Sequence, residues 1–203
     1  MFKKIVSGFL AGVCMMTVAA CGNMKENPGE VVQEFCQAMK AFDGEKMSVC
    51  LLSGENVMGE MNAEENAEAE WLIALMKQWA GKISYKADEP VINGDSATVA
   101  VTFHYVDASA AIKAALAEYL LKAFSLSLAG ATDEQIKEEA TSILTENIQK
   151  TGTGEAEDTV VFLCRKTEEG WKIGEAPEGI KNILSSNTIE AISGMFSGFL
   201  SDS

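Results

Sequence analysis

Imidazole and guanidinium groups are scarce in this chain of 203 residues. It carries one histidine, His104, one arginine, Arg165, and no two cysteines at C-x-x-C spacing. A Cys/His metal site needs several such ligands close together, so metal chemistry is not an expectation here. No Ser/His/Asp set, carboxylate dyad or phosphate-cradling loop can be assembled from local spacing. The Gly152-Thr153-Gly154 run follows a helical pattern and not a strand, so it reads as a linker. Positive charge is short as well, with 16 basic residues against 30 acidic ones and a net charge of −14. Such a surface repels phosphate backbones and anionic head groups, which excludes nucleic acid as an expected partner. No cofactor is expected, and no internal repeat is visible.

One long uncharged run is present, at the N-terminus. Lys3 and Lys4 precede the stretch Ile5 to Ala20, and the small residues Ala19 and Ala20 lead into Cys21. A charged start, an apolar middle and a small-residue exit are what a secretory signal requires, so residues 1–20 read as a signal peptide. Val18-Ala19-Ala20-Cys21 resembles the lipobox of bacterial lipoproteins, with Val18 where Leu is commoner. In that family the cysteine thiol takes a diacylglycerol and the chain is cut just before it. The resemblance therefore implies lipidation of Cys21 and an extracytoplasmic, membrane-anchored protein, with 21–27 as a short tether. Cys14 is a poorer site because bulky Val13 precedes it. The alternative, an uncleaved spanning helix, is short of the ~20 apolar residues that a span needs. Cleavage removes two lysines, leaving 14 − 30 = −16. Lipid and not charge must then hold the protein to its membrane. The 183 remaining residues suffice for one domain with a real core, spanning 28–203.

Asn27 and Pro28 signal the start of a helix whose face is Val31, Val32, Phe35, Ala38, Met39 and Phe42. Asp43-Gly44 reads as a turn, followed by a short helix through Met47, Cys50 and Leu51. Asn62 and Glu65 open a third, with Trp71, Leu72, Leu75, Met76 and Trp79 inward. The period then falls from 3.6 to 2. Ile83, Tyr85 and Ala87 mark one strand, and Val99, Val101, Phe103 and Tyr105 a second, with a turn at Asn93-Gly94-Asp95 between them. Residues Thr159–Lys166 and Gly170–Gly174 supply two more. A helical hairpin, 108–150, separates strands two and three. Its first stripe is Ile112, Leu116, Tyr119, Leu120, Ala123 and Phe124, and its second Ile136, Ala140, Ile143, Leu144 and Ile148. Thr132 and Gln135 form a capping box between them. A last helix is expected over 178–200, with Ile180, Ile183, Leu184, Ile192, Met195, Phe196 and Phe199 largely on one side. The expectation is an α+β domain: three N-terminal helices on a four-stranded antiparallel sheet, with the inserted hairpin and the C-terminal helix added.

That order resembles the cone-shaped ketosteroid-isomerase-like (nuclear-transport-factor-like) superfamily. Asn27-Pro28-Gly29-Glu30-Val31-Val32, then Phe35, Ala38 and Phe42-Asp43-Gly44, are similar to secreted and lipoprotein members of the group. Gly170-Trp171-Lys172-Ile173 is similar to their last strand. The likeness covers 28–107 and 157–176. The hairpin and the C-terminal helix depart from it, and both could fill or cover the pocket that the family fold forms between sheet and helices. The resemblance implies a pocket whose candidate lining here is Trp71, Tyr85, Phe103 and Tyr105. Enzymes of the superfamily place a carboxylate with Tyr, His or Arg in the cone. Alternation instead puts His104 on the outer sheet face, and Arg165 reads as a solvated strand residue.

Three functions follow as expectations. One is a non-catalytic module holding a small apolar ligand between sheet and helices. Another is an interaction module that docks an envelope protein through 108–150 or 178–200. The third, an enzyme, has the thinnest support. An open cavity at Trp71, Tyr85 and Tyr105 would favour the first, and a filled cone with an exposed apolar stripe the second. Cys36 and Cys50 fall on consecutive predicted helices, where a disulfide is one reading. The other is that Cys36, Cys50 and Cys164 are small buried hydrophobes. Gly194-Met195-Phe196-Ser197-Gly198 is a G-x-x-x-G whose expected use is packing within the domain.

Overall fold

The computed structural model describes residues 26–59 and 70–201, without the side chains of Glu70, Trp71, Asp133 and 195–201. The signal peptide, Cys21, most of the tether and the Asn62/Glu65 pair lie outside the described residues. The architecture is α+β, with seven helices and a five-stranded antiparallel sheet among the described residues. Helices α1 (Pro28–Ala41), α2 (Gly44–Cys50) and α3 (Glu70–Ala80) precede the strands. Asn27 caps α1 by accepting the Gly29 amide at 2.8 Å. Asp43, read as a turn residue, caps α2 by accepting the Lys46 amide at 3.0 Å.

The sheet is built on β3 (Ser96–Asp107), which pairs with β1 (Ser84–Ala87), β2 (Val91–Asn93) and β4 (Gly154–Thr167); β5 (Gly170–Ile173) extends β4. β1 is the expected first strand, and β2 is a fifth strand where four were expected. Pairing runs on from β1 to Asp88, whose amide donates to the Ala100 carbonyl at 2.8 Å, and resumes at Val91. Pro90 between them has no N–H to give to the ladder, which ends the strand there. The expected third strand, from Thr159, begins at Gly154. The polar residues 154–158 pair with 103–107 because β3 is long enough to offer them partners. All but half-buried Ala156 are exposed, so alternation of apolar residues never marked them.

One face of the sheet is covered and the other is not. Phe35 of α1 meets Phe162 edge-on at 5.5 Å between ring centres, and Phe103 lies 6.4 Å from Phe162. All three rings are fully buried, and each contributes roughly 1.5–3 kcal/mol relative to exposure.

The hairpin is α4 (Ser109–Leu128) and α5 (Asp133–Thr151), with the Thr132/Gln135 capping box in place. Its base is held in the core through Ala111, Ile112, Ala115, Ile143 and Leu144. Asn147 adds two bonds, to Glu118 Oε2 at 2.9 Å and the Ile143 carbonyl at 2.8 Å. The C-terminal helix is not continuous. It divides into α6 (Ile180–Leu184) and α7 (Thr188–Ser201), because Ser186 and Asn187 take φ of 54° and 61°. That left-handed conformation cannot continue a helix.

Candidate functional site

Where the resemblance implied a pocket, the described side chains are packed against one another. Phe103 is fully buried between Phe162 and Tyr85, the latter 6.2 Å away. Tyr85 is half-buried at the sheet edge, and its hydroxyl donates to the Gln33 carbonyl at 3.4 Å. Burial, with Cys36 adding, raises its pKa. Trp71 stands in α3, with its side chain outside the described ones. Tyr85 and Phe103, expected to line a cavity, instead join α1 to the sheet.

Tyr105 serves differently again. Only 5% exposed, it donates its hydroxyl to Asp158 Oδ2 of β4 at 2.5 Å and lies 3.4 Å from Asn187 Oδ1. Burial first and the Asp158 bond second push its pKa up to about 12. Asp107 completes the group: Oδ1 accepts the Ser109 amide at 2.9 Å, and Asn187 bonds to the same carboxyl. Burial raises this carboxyl's pKa, but the bonds from Ser109 and Asn187 outweigh it and hold the group below the ordinary value. The Ala108 amide donates to the Ser186 carbonyl at 3.0 Å. These contacts latch the α6–α7 joint to the end of β3 and hold its two left-handed residues. Sequence reasoning could not assemble the set, since its members come from three separate segments.

His104 and Arg165, the side chains weighed for catalysis, both lie on the uncovered side of the sheet. His104 Nδ1 is 3.2 Å from Glu157 Oε2, and both side chains are more than half exposed. Arg165 is exposed opposite Ser96 and Lys172. Val91, Thr98 and Leu163 stand side by side across β2, β3 and β4. With Leu52, Val161 and Pro177 they line an open cleft of about 950 Å³. This cleft is on the opposite side of the sheet from the expected pocket.

Cys36, Cys50 and Cys164 are buried thiols. Burial, with Cys50 adding, pushes Cys36 up to about 12, and burial alone raises Cys164 to about 11. Thiols so protonated are poor nucleophiles at neutral pH. The Cys50 thiol donates to the Lys46 carbonyl at 3.3 Å.

The most exposed apolar feature is on α4. Leu121, Phe124 and Leu128 are 76%, 69% and 76% exposed, and Leu120 is 37%. The stripe expected to face inward held Leu120 and Phe124, and the structure corrects this. Steps of four residues advance about 40° too far each time, so Phe124 lies roughly 120° around the helix from Ile112. The inward line is Ile112, Leu116, Tyr119, Ala123 and Leu126, all buried or half-buried. The outward line is Ala114, Ala117, Leu121, Phe124 and Leu128. On α5 no large apolar side chain is among the exposed ones. No helix among the described residues is long and apolar enough to cross a membrane. No known protein-family profile, curated protein or solved structure matches the chain.

Proposed function

We propose that this chain is a lipid-anchored extracytoplasmic interaction module that docks a protein partner through the outer face of α4, without covalent chemistry. The observation that carries the reading is the exposure of Leu121, Phe124 and Leu128 at i, i+3 and i+7 on a helix pair whose base is part of the core. Amphipathic recognition uses that spacing. An ordered helix leaves such a stripe in water only at a cost, which a partner would remove. The packed side chains of Phe103 and Tyr105, the outward His104 and Arg165, and the protonated thiols all support a module without a reaction centre. The anchor rests on the Cys21 motif. Kinship with the ketosteroid-isomerase-like superfamily is part of the proposal, supported by α1–α3 ahead of an antiparallel sheet.

The cleft of about 950 Å³ on the uncovered sheet face favours a second reading, a small apolar or amphipathic ligand lying across Val91, Val161 and Leu163. Its volume is within the range of ligand sites.

A photo-crosslinking residue at Leu121, in the full chain expressed in a lipoprotein-modifying bacterium, tests both parts. The expected result is a membrane-associated protein whose N-terminus is Cys21 and which forms protein adducts from position 121. The same probe at Val49, 65% exposed on α2, forms none. Cys21→Ser should release the protein from the membrane. Equal labelling from both positions would sink the docking reading, and adducts from Leu163 alone would shift the function to the sheet cleft.

A further inference from the structure

We propose that the surface docking on α4 is the α4 of a second copy of this chain, lying antiparallel to it. This deepens the preceding reading and rests on it.

The spacing of the outward line identifies the kind of partner. Ala114, Ala117, Leu121, Phe124 and Leu128 follow one another at steps of three, four, three and four. A mean step of 3.5 keeps one seam in register with another helix, which is the pattern of paired helices. The inward line, Ile112 to Leu126, has the same alternation and already faces α5. Helix α4 is therefore apolar on two sides: α5 and α7 pack along it, while Leu121, Phe124 and Leu128 of the outward line are left exposed.

The side-chain sizes along the seam identify which helix the second one is. Large residues occupy its C-terminal half and alanines its N-terminal half. A parallel copy would set Leu128 against Leu128 and leave the alanines facing each other across a gap. An antiparallel copy, with its two-fold axis between Leu121 and Phe124, sets Leu121 against Phe124 and Leu128 against Ala117, twice each by symmetry. Large against small fills the seam evenly, as close packing requires. Such a contact is isologous and closes at two copies.

Charge permits the approach at this place. The whole chain is at −14, and two copies would repel over most of their surface. Helix α4 has two lysines, Lys113 and Lys122, and one acid, Glu118, so it is +1 where the chain as a whole is strongly negative. Lys122 is paired within the hairpin to Glu139 at 3.2 Å. From Ala123 to Thr132 no residue is charged.

The test is light scattering on the purified full-length lipoprotein in detergent, corrected for the micelle, with Leu121→Glu and Phe124→Glu as variants. Both side chains are mostly exposed, so both variants should fold, with the far-UV circular dichroism of the wild type. The wild type should give twice the chain mass at tens of micromolar, and each variant the single mass. Orientation is read by mixing Leu121→Cys protein with Phe124→Cys protein under mild oxidation. The mixed sample should cross-link far more than either variant alone. Cross-linking of each variant with itself, and no gain on mixing, would overturn the antiparallel pairing. A monomeric wild type overturns the second copy as occupant. If adducts from Leu121 then fall on another protein, α4 docking survives. If they fall on lipid, on residues 195–203 of the same chain or nowhere, the docking reading fails with it.

Discussion

Removing one oxygen, in Tyr105→Phe, tests the latch that joins β3, β4 and the α6–α7 joint. The ring stays and its packing is kept, so the change isolates the hydroxyl and its bond to Asp158 Oδ2 at 2.5 Å. A hydrogen bond to a charged group is worth about 1.5–3 kcal/mol. Asp158 is exposed, so water can replace the lost donor and the net cost falls toward the low end, about 1–2 kcal/mol. For a domain of this size that lowers the melting temperature by roughly 2–8 °C. The dependence on pH is more specific than the size. Folding raises the Tyr105 pKa from 10.0 to about 12, so the folded chain keeps a proton that the unfolded chain releases. The contribution is fully present below pH 10 and is lost as pH rises toward 12. Tyr85, Cys36 and Cys164 also titrate high, but they are common to both proteins and cancel in the difference. Urea unfolding followed by far-UV circular dichroism at pH 7, 9, 10.5 and 11.5 gives that difference directly. It should be steady to pH 9 and shrink above pH 10. A difference that stays flat across the series, or one near zero at pH 7, would refute the latch.

Helix geometry makes a second claim, that Ile112 and Leu120 differ although both belong to the same sequence pattern. Ile112, 4% exposed, should lose about 2–5 kcal/mol on change to Ala; Leu120, 37% exposed, should lose about 1 kcal/mol or less under the same denaturation. Equal losses would put the two side chains in equivalent surroundings. Asp107→Ala removes the acceptor of the Ser109 amide and should cost about 1 kcal/mol, as loss of a helix cap does. Because the folded carboxyl is held below its ordinary value of 3.8, that contribution is present above pH 3.8 and is lost as pH falls through the folded value. The variant and wild type should therefore converge in acid, and an undiminished gap at pH 2 would count against the bond.

What the sequence by itself determined is what local chemistry decides. Asn27-Pro28 and Thr132/Gln135 place helix starts because a cap and its amides lie within three residues of one another. Asn93-Gly94 places the hairpin because a two-residue loop needs a residue tolerant of φ of 60°. Alternation from Val99 to Tyr105 sent those side chains inward and His104 outward, since a strand turns each successive residue to the opposite face. Tertiary structure decided everything that depends on a distant partner. It lengthened β4 back to Gly154 because β3 was there to pair with it. It broke the last helix at Ser186-Asn187, where Tyr105, Asp107 and the Ala108 amide hold the left-handed residues. It took Tyr85, Phe103 and Tyr105 from an expected cavity and used them as packing and as a latch. It also turned Leu121, Phe124 and Leu128 toward solvent, because α5, α7 and the core all lie against the other side of α4. A sequence pattern shows that a helix is apolar on two sides, but only the position of its neighbours shows which side is left uncovered.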